Sequence, residues 1–133
     1  MKRTTLFRIL TLVYLGVIAI LCFANFGNMP EVGKDFMGIP LDKIVHFLMF
    51  LPFPLLAFWS LRLSRKGVVK TLLVLVAIFI VGALLACGTE YVQSKLPYRS
   101  MDMTDFRADR IGVACGCIAA FFVQLFSRPK ADA

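Results

Sequence analysis

Ionisable and hydrogen-bonding side chains gather in two short parts of a chain that is 59% hydrophobic. The first part is residues 42–46 and the second is residues 90–110. Carboxylates and imidazole exchange protons and ligate metal ions, and a guanidinium binds phosphate or carboxylate through paired donors. These types could therefore perform acid–base chemistry or bind a charged ligand. The candidates are Asp42, His46, Glu90, Gln93, Arg99, Asp102, Asp105 and Asp109.

The spacing places some of these side chains on shared helix faces. Asp42 and His46 are four residues apart, and Glu90 and Gln93 are three apart, so each pair lies on one helix surface. Simpler roles stay open. Asp42 could be a solvated helix start, His46 an interfacial histidine in a hydrogen bond, and Asp105 the N-cap of the last helix.

The long apolar segments that flank these residues are typical of membrane-spanning helices. Mean hydropathy is +0.81, and about 20 apolar residues in a helix span a bilayer core of about 30 Å. A soluble bundle would show a polar stripe on each helix, which the first and third segments lack. The first segment is too long for a signal-peptide core, so we expect it to remain as a helix. We predict one all-α domain over 1–133 with four transmembrane helices, at about 7–26, 43–61, 69–91 and 108–127.

Basic residues predict the orientation of these helices. Nine of the 15 lysines and arginines flank helix ends on one side, where Asp132 is the one acidic residue. The other side carries the remaining six, against seven acidic residues. The positive-inside rule then predicts that both termini are cytoplasmic. The net charge of +7 follows from this topology, because basic residues on the cytoplasmic side attract anionic membrane lipids. We therefore expect no nucleic-acid partner.

Two prolines predict a kink in the second helix. Pro52 and Pro54 lie in its middle, and each leaves a carbonyl, of Leu48 and Phe50, without its helical partner. Neighbouring helices or water must then supply donors.

Small residues at four-residue spacing predict close helix contacts in lipid. These stripes should face each other or the second helix, which would turn Glu90 toward protein. One stripe is Gly82, Ala86 and Glu90, and the other is Ala108, Gly112, Gly116 and Ala120.

The combined motifs resemble the VanZ-like family of bacterial membrane proteins. The resemblance rests on "DKIVHF", "EYVQ", "YRSMDMTD" and "GVACG", and covers roughly residues 42–116. The family usually has asparagine where this chain has Asp109. The resemblance implies a small multi-pass protein of the bacterial cytoplasmic membrane, in a family named after a member linked to resistance to teicoplanin, a lipid-bearing glycopeptide. The pattern maps onto Asp42, Lys43, His46, Phe47, Glu90, Gln93, Arg99, Asp102, Asp105, Gly112 and Gly116.

Binding of an amphiphile is the first of three functions compatible with these residues. The polar residues would line a pocket in the outer leaflet, with Arg99 holding an anionic head group. The ligand would be a lipid-linked precursor or a lipoglycopeptide antibiotic, and glycopeptide tolerance could follow. No cofactor is expected.

Two alternatives stay open. In the first, a membrane enzyme acts on a lipid-linked phosphate or ester, with the candidates His46 as base and Glu90 or Asp42 orienting it. A variant places a divalent metal on Asp102, Asp105 and Asp109, whereas a multi-histidine zinc site is excluded because the chain has one histidine. In the second, a structural or transport-related bundle is locked by pairing of Arg99 with Glu90 or Asp102.

Overall fold

The computed structural model describes residues 2–25, 35–61 and 67–127. Five helices and two short strands make up this part of the chain. In chain order they are α1 (Arg3–Phe23), β1 (Asp35–Phe36), β2 (Ile39–Pro40), α2 (Leu41–Phe50), α3 (Pro52–Ser60), α4 (Val68–Gln93) and α5 (Met103–Phe126).

Four helical segments are long and apolar enough to cross a membrane. They are α1, the continuous segment Leu41–Ser60 formed by α2 and α3, α4 and α5. The predicted all-α fold with four membrane-length helices is confirmed. The N-terminal end of α1 and the C-terminal ends of α3 and α5 border one small cavity, so these ends lie together. The first half of α4 packs beside the C-terminal half of α5, which places the start of α4 at the same end. The C-terminal ends of α1 and α4 and the starts of α2 and α5 form the opposite end of the bundle.

The last helix begins several residues earlier than predicted because Asp102 caps it. An Asp102 carboxylate oxygen accepts hydrogen bonds from the Thr104 backbone amide at 2.8 Å and from the Thr104 hydroxyl at 2.7 Å. An aspartate in this role satisfies an amide that has no partner inside the helix. The N-cap is therefore Asp102, and Asp105 lies in the first turn of α5.

A β-hairpin with a two-residue turn precedes α2. The strands β1 and β2 pair antiparallel, and Met37 and Gly38 between them both have positive φ, at 53° and 81°, as tight hairpin turns require. Part of the connection between α1 and α2 is thus a hairpin. Residues 26–34 of that connection, and residues 62–66 between α3 and α4, lie outside the described residues.

The second membrane segment is broken at its first proline, as predicted. Helix α2 ends at Phe50 and α3 begins at Pro52. The Tyr14 hydroxyl of α1 donates to the carbonyl of Met49. A neighbouring helix therefore supplies a hydrogen-bond donor at the break. The acceptor is the carbonyl of Met49, whereas the sequence indicated those of Leu48 and Phe50.

The glycines of α5 bring it against this break. A Cβ on Gly112 would collide with the Phe47 carbonyl, and one on Gly116 would collide with the Leu51 carbonyl and lie 2.9 Å from the ring of Pro54. The stripe on α5 therefore packs on the backbone of the second membrane segment, which is one of the two arrangements that the sequence allowed. This contact holds the start of α2 beside the start of α5.

Candidate functional site

The candidate site lies where the starts of α2 and α5 meet the C-terminal end of α4. We call this the charged end of the bundle. It carries Asp42, Lys43, His46, Glu90, Asp102, Asp105 and Asp109.

Lys43 is the centre of an ion-pair cluster at the charged end. Its Nζ lies 2.9 Å from Asp42 Oδ2 and 2.7 Å from Asp102 Oδ2, and it also contacts Asp105 Oδ1. We call these four residues the Lys43 network. The hydrogen bond from Lys43, reinforced by those from Thr104, holds the pKa of Asp102 well below its usual range. The network therefore ties α2 to the start of α5.

His46 lies between two carboxylates of α5. Its Nδ1 shares a hydrogen bond of 2.9 Å with Asp109 Oδ1, and its Nε2 lies 3.6 Å from Asp105 Oδ2. The imidazole is buried, and Asp109 is fully buried. Asp109 thus orients the ring, rather than Asp42 or Glu90 as expected from the sequence. Since both ring nitrogens face carboxylates, the ring can hold and transfer a proton within the cluster.

Glu90 is buried beside this pair, with 1% of its surface exposed. Its Oε2 accepts a hydrogen bond of 3.2 Å from the backbone amide of Asp102. Its Oε1 and the Asp109 Oδ2 are buried and have no hydrogen-bond partner in the described part of the chain. Glu90, Asp109 and His46 each offer a ligand atom, and these atoms lie within 4.8 Å of one another. We call these three residues the buried triad.

Gln93 and Arg99 face a different element, the C-terminal end of α1. Together with Tyr98 they donate to the last three carbonyls of that helix, at residues 21–23. The distances are 2.8 Å from Gln93, 2.7 Å from Tyr98 and 3.4 Å from Arg99. These carbonyls have no partner inside the helix. The structure therefore gives Gln93 and Arg99 a capping contact. The sequence suggested ligand binding for both residues and, as an alternative for Arg99, pairing with Glu90 or Asp102.

Six of the eight predicted site residues are thus brought together, and the set predicted for a metal is divided. Asp102 and Asp105 lie in the Lys43 network, whereas Asp109 belongs to the buried triad. Sequence reasoning named Lys43 only as part of the resemblance and missed it as the partner of three carboxylates. One signal could have found it. Lys43 is the one lysine or arginine of the second membrane segment, and the start of the last helix is rich in aspartate.

Comparison with known proteins covers nearly the whole chain. The model of the VanZ/LLP1 family matches residues 2–124. The chain belongs to the VanZ/LLP1 family. The resemblance seen in residues 42–116 therefore extends through the first helix as well.

A relative of this chain occurs in a yeast. An uncharacterized protein of Schizosaccharomyces pombe is 35% identical over 97 residues, which cover 72% of this chain and 54% of the relative. The chain thus spans about half the length of that relative, whose description gives no function. No solved structure matches the chain significantly.

The two clusters of this VanZ/LLP1-family protein differ in how their negative charge is balanced. Asp42, Asp102 and Asp105 could ligate a metal ion by their positions, but the ammonium of Lys43 already lies among them. In the buried triad, no lysine or arginine of the described residues forms an ion pair with Glu90 or Asp109, and the group that pairs with Asp109 is the imidazole of His46.

A groove of about 440 Å³ runs beside the Lys43 network, between α2 and α5. Lys43 and Arg107 border it, and its other walls include Ile44, Phe47 and Ile111. A larger groove of about 530 Å³ lies between α1, α3 and α4, but none of its described lining residues is ionisable. Of these two grooves, the one between α2 and α5 combines cations with an apolar wall, and it lies at the charged end.

Proposed function

We propose that this protein binds an amphiphile at the charged end of the bundle. The head group would contact Lys43 and Arg107, and the hydrocarbon chain would lie along Ile44, Phe47 and Ile111. The observation that carries the proposal is the groove between α2 and α5, where charged and apolar side chains line one cavity. Binding sites for such ligands are mostly apolar, with a few polar groups that fix orientation.

Arg107 is the better candidate for the anion contact. It forms no ion pair with any described residue, whereas Lys43 is engaged by three carboxylates and Arg99 donates to the end of α1. A guanidinium without an ionic partner can bind phosphate through two donors. We therefore transfer the role first expected of Arg99 to Arg107.

The exposed carboxylates suggest the rest of the head group. The side chains of Asp42 and Asp102 are 58% and 43% exposed, so their oxygens can accept hydrogen bonds from hydroxyl or amino groups. A phosphate next to a sugar would satisfy both the arginine and the carboxylates. This chemistry favours a lipid-linked sugar phosphate, and a lipoglycopeptide antibiotic offers a related combination of acyl chain and polar head.

The site can be tested with a photoreactive probe in nanodiscs. A polyprenyl phosphate carrying a diazirine in its chain is added to the full-length protein in phosphatidylcholine nanodiscs, and labelled peptides are mapped by mass spectrometry. We expect labels on the groove faces of α2 and α5. Arg107→Ala should reduce labelling about tenfold or more, the loss expected for a charge-assisted hydrogen bond.

A matched variant controls for the change in net charge. Lys95 also lies at the charged end, but it stacks over the ring of Tyr91 and does not line the groove. Lys95→Ala should therefore leave labelling unchanged. Equal labelling of the wild type and Arg107→Ala, or labels confined to other helix faces, would overturn the proposal.

We further propose a bacterial cytoplasmic membrane as the location, with both termini in the cytoplasm. The excess of basic residues at the end opposite to the charged end supports this orientation. Alkaline phosphatase fused to the C-terminus in a bacterial host should be inactive, and a fluorescent protein fused there should be bright. The reverse pattern would place the charged end in the cytoplasm.

Tolerance to teicoplanin is the cellular effect that we propose. Expression in a susceptible Gram-positive host should raise the inhibitory concentration of teicoplanin, and Arg107→Ala should remove that increase at equal membrane levels of protein. No increase with the wild type would separate amphiphile binding from antibiotic tolerance.

A structural role for the charges is the second candidate, favoured by the ties that Lys43 makes between α2 and α5. Reversal of one pair, Lys43→Asp with Asp105→Lys, distinguishes the two. Restored thermal stability and restored teicoplanin tolerance would indicate a structural lock. Restored stability without tolerance would indicate that a ligand needs the original charges.

A further inference from the structure

We propose that the buried triad of His46, Glu90 and Asp109 binds a divalent transition-metal ion. The ligands would be one imidazole nitrogen and one oxygen from each carboxylate. This site is distinct from the α2–α5 groove, whose lining includes none of the three residues.

The spacing of the ligand atoms fits a metal ion. The distance from His46 Nδ1 to Asp109 Oδ1 is 2.9 Å. Two adjacent ligands, each about 2.1 Å from an ion, lie about 3.0 Å apart in an octahedral site and about 3.4 Å apart in a tetrahedral one. The three ligand atoms all lie within 4.8 Å of one another, against about 4.2 Å for two ligands on opposite sides of an ion. One ion could therefore bind all three after small side-chain rotations, with the helices in place.

Two buried oxygens without hydrogen-bond partners independently support an ion at the buried triad. Glu90 is 1% exposed and Asp109 is 0% exposed, yet Glu90 Oε1 and Asp109 Oδ2 have no hydrogen-bond partner in the described part of the chain. A buried polar atom without a partner costs free energy, and a native structure that contains one commonly holds an ion or water there. An ion bound by both carboxylates would give each carboxyl group the partner that its second oxygen lacks.

The charge of the buried triad also favours a cation. With both carboxylates ionised and the imidazole neutral, the triad would carry two negative charges. Within the described residues, no lysine or arginine pairs with either carboxylate. A divalent ion would neutralise both charges.

Asp105 completes the arrangement around the imidazole. When Nδ1 binds a metal, Nε2 carries the proton, and Asp105 Oδ2 lies 3.6 Å from that nitrogen. A carboxylate facing the far nitrogen of a metal-bound histidine fixes the ring and strengthens its donation. One imidazole with two carboxylates is a ligand set suited to Zn²⁺ or Mn²⁺, and an all-oxygen site would favour Mg²⁺ or Ca²⁺ instead.

Metal binding can be measured on the full-length protein in detergent after treatment with EDTA and dialysis. Zn²⁺ is titrated by calorimetry, and Mn²⁺ by the loss of the free-ion signal in electron paramagnetic resonance. We expect one ion per chain and a higher thermal unfolding temperature with the ion. Glu90→Gln and Asp109→Asn should each weaken binding at least about tenfold, because loss of even an indirect partner weakens metal sites by that much.

Asp42→Asn is the matched control, because Asp42 belongs to the Lys43 network and is exposed. It should bind the ion as the wild type does. No saturable binding by the folded wild type would overturn the proposal, whether or not the variants fold. Undiminished binding in Glu90→Gln and Asp109→Asn, with loss in Asp42→Asn, would also overturn it and would assign the ion to the other cluster.

Discussion

Gly112 of α5 lies directly against the backbone carbonyl of Phe47 in α2, with no space for a β-carbon between them. This contact sets how closely the two helices approach, at the residue that follows His46. In a membrane, where burial of apolar surface gives no net drive between helices, small residues allow such an approach. The geometry of the charged end therefore depends on an uncharged residue.

Gly112→Ala should destabilise the protein. The added methyl group collides with the backbone, which cannot rotate away as a side chain can, and we expect a loss of about 1–3 kcal/mol. Gly16→Ala is the control, since nothing lies within 4 Å of its added carbon, and alanine favours a helix over glycine. Unfolding in detergent would measure both. Equal stability of the two variants would contradict the role given to Gly112.

Lys43→Met should loosen the contact between α2 and α5. It leaves Asp42, Asp102 and Asp105 close together without a cation. We expect a loss of about 2 kcal/mol, between the values typical of exposed and buried pairs. Adding Asp105→Asn should recover part of it, because one repelling charge is removed. A double variant no more stable than Lys43→Met would contradict the repulsion between carboxylates as the cause of the loss.

Tyr14→Phe should destabilise the protein at the junction of α2 and α3. It removes the hydroxyl that donates to the Met49 carbonyl, and a buried acceptor left without a donor costs about 1–3 kcal/mol. Tyr91→Phe is the matched control, because Tyr91 is 61% exposed and its hydroxyl has no hydrogen-bond partner in the described structure. Thermal unfolding should separate the two variants, and a similar effect of both would count against this interpretation.

The sequence predicted the helices better than it predicted the partners of their polar residues. Hydropathy and glycine spacing are local, so they indicated the four membrane segments and the face of α5 that carries Gly112. The pairing of Lys43 with Asp105 joins residues far apart in the chain, and local spacing carries no information about it. Arg99 has the right type for binding an anion, but its contact with the end of α1 depends on how the segment after α4 folds back.

Asp102 should remain ionised well below the pH at which an ordinary aspartate is protonated. Its depressed pKa means that the stabilisation is fully present above the unfolded value of about 3.9 and is lost as the pH falls through the lower folded value. The carboxyl carbon of Asp102, observed by NMR and assigned with Asp102→Asn, should not titrate between pH 6 and about 3. Lys43→Met should move the titration up toward the ordinary range. An unchanged titration in that variant would exclude Lys43 as the main cause.

The end of α1 should open when its donors are removed. Gln93→Ala with Arg99→Ala leaves two terminal carbonyls of α1 without these hydrogen bonds, and the last turn of a helix without caps frays readily. Amide hydrogen exchange of residues 21–25 should become about tenfold faster, which corresponds to about 1.4 kcal/mol. Lys95→Ala, an exposed position between the two, should leave exchange unchanged. If exchange at the end of α1 stays slow in the double variant while amphiphile binding is lost, then Gln93 and Arg99 serve the ligand and not the helix end.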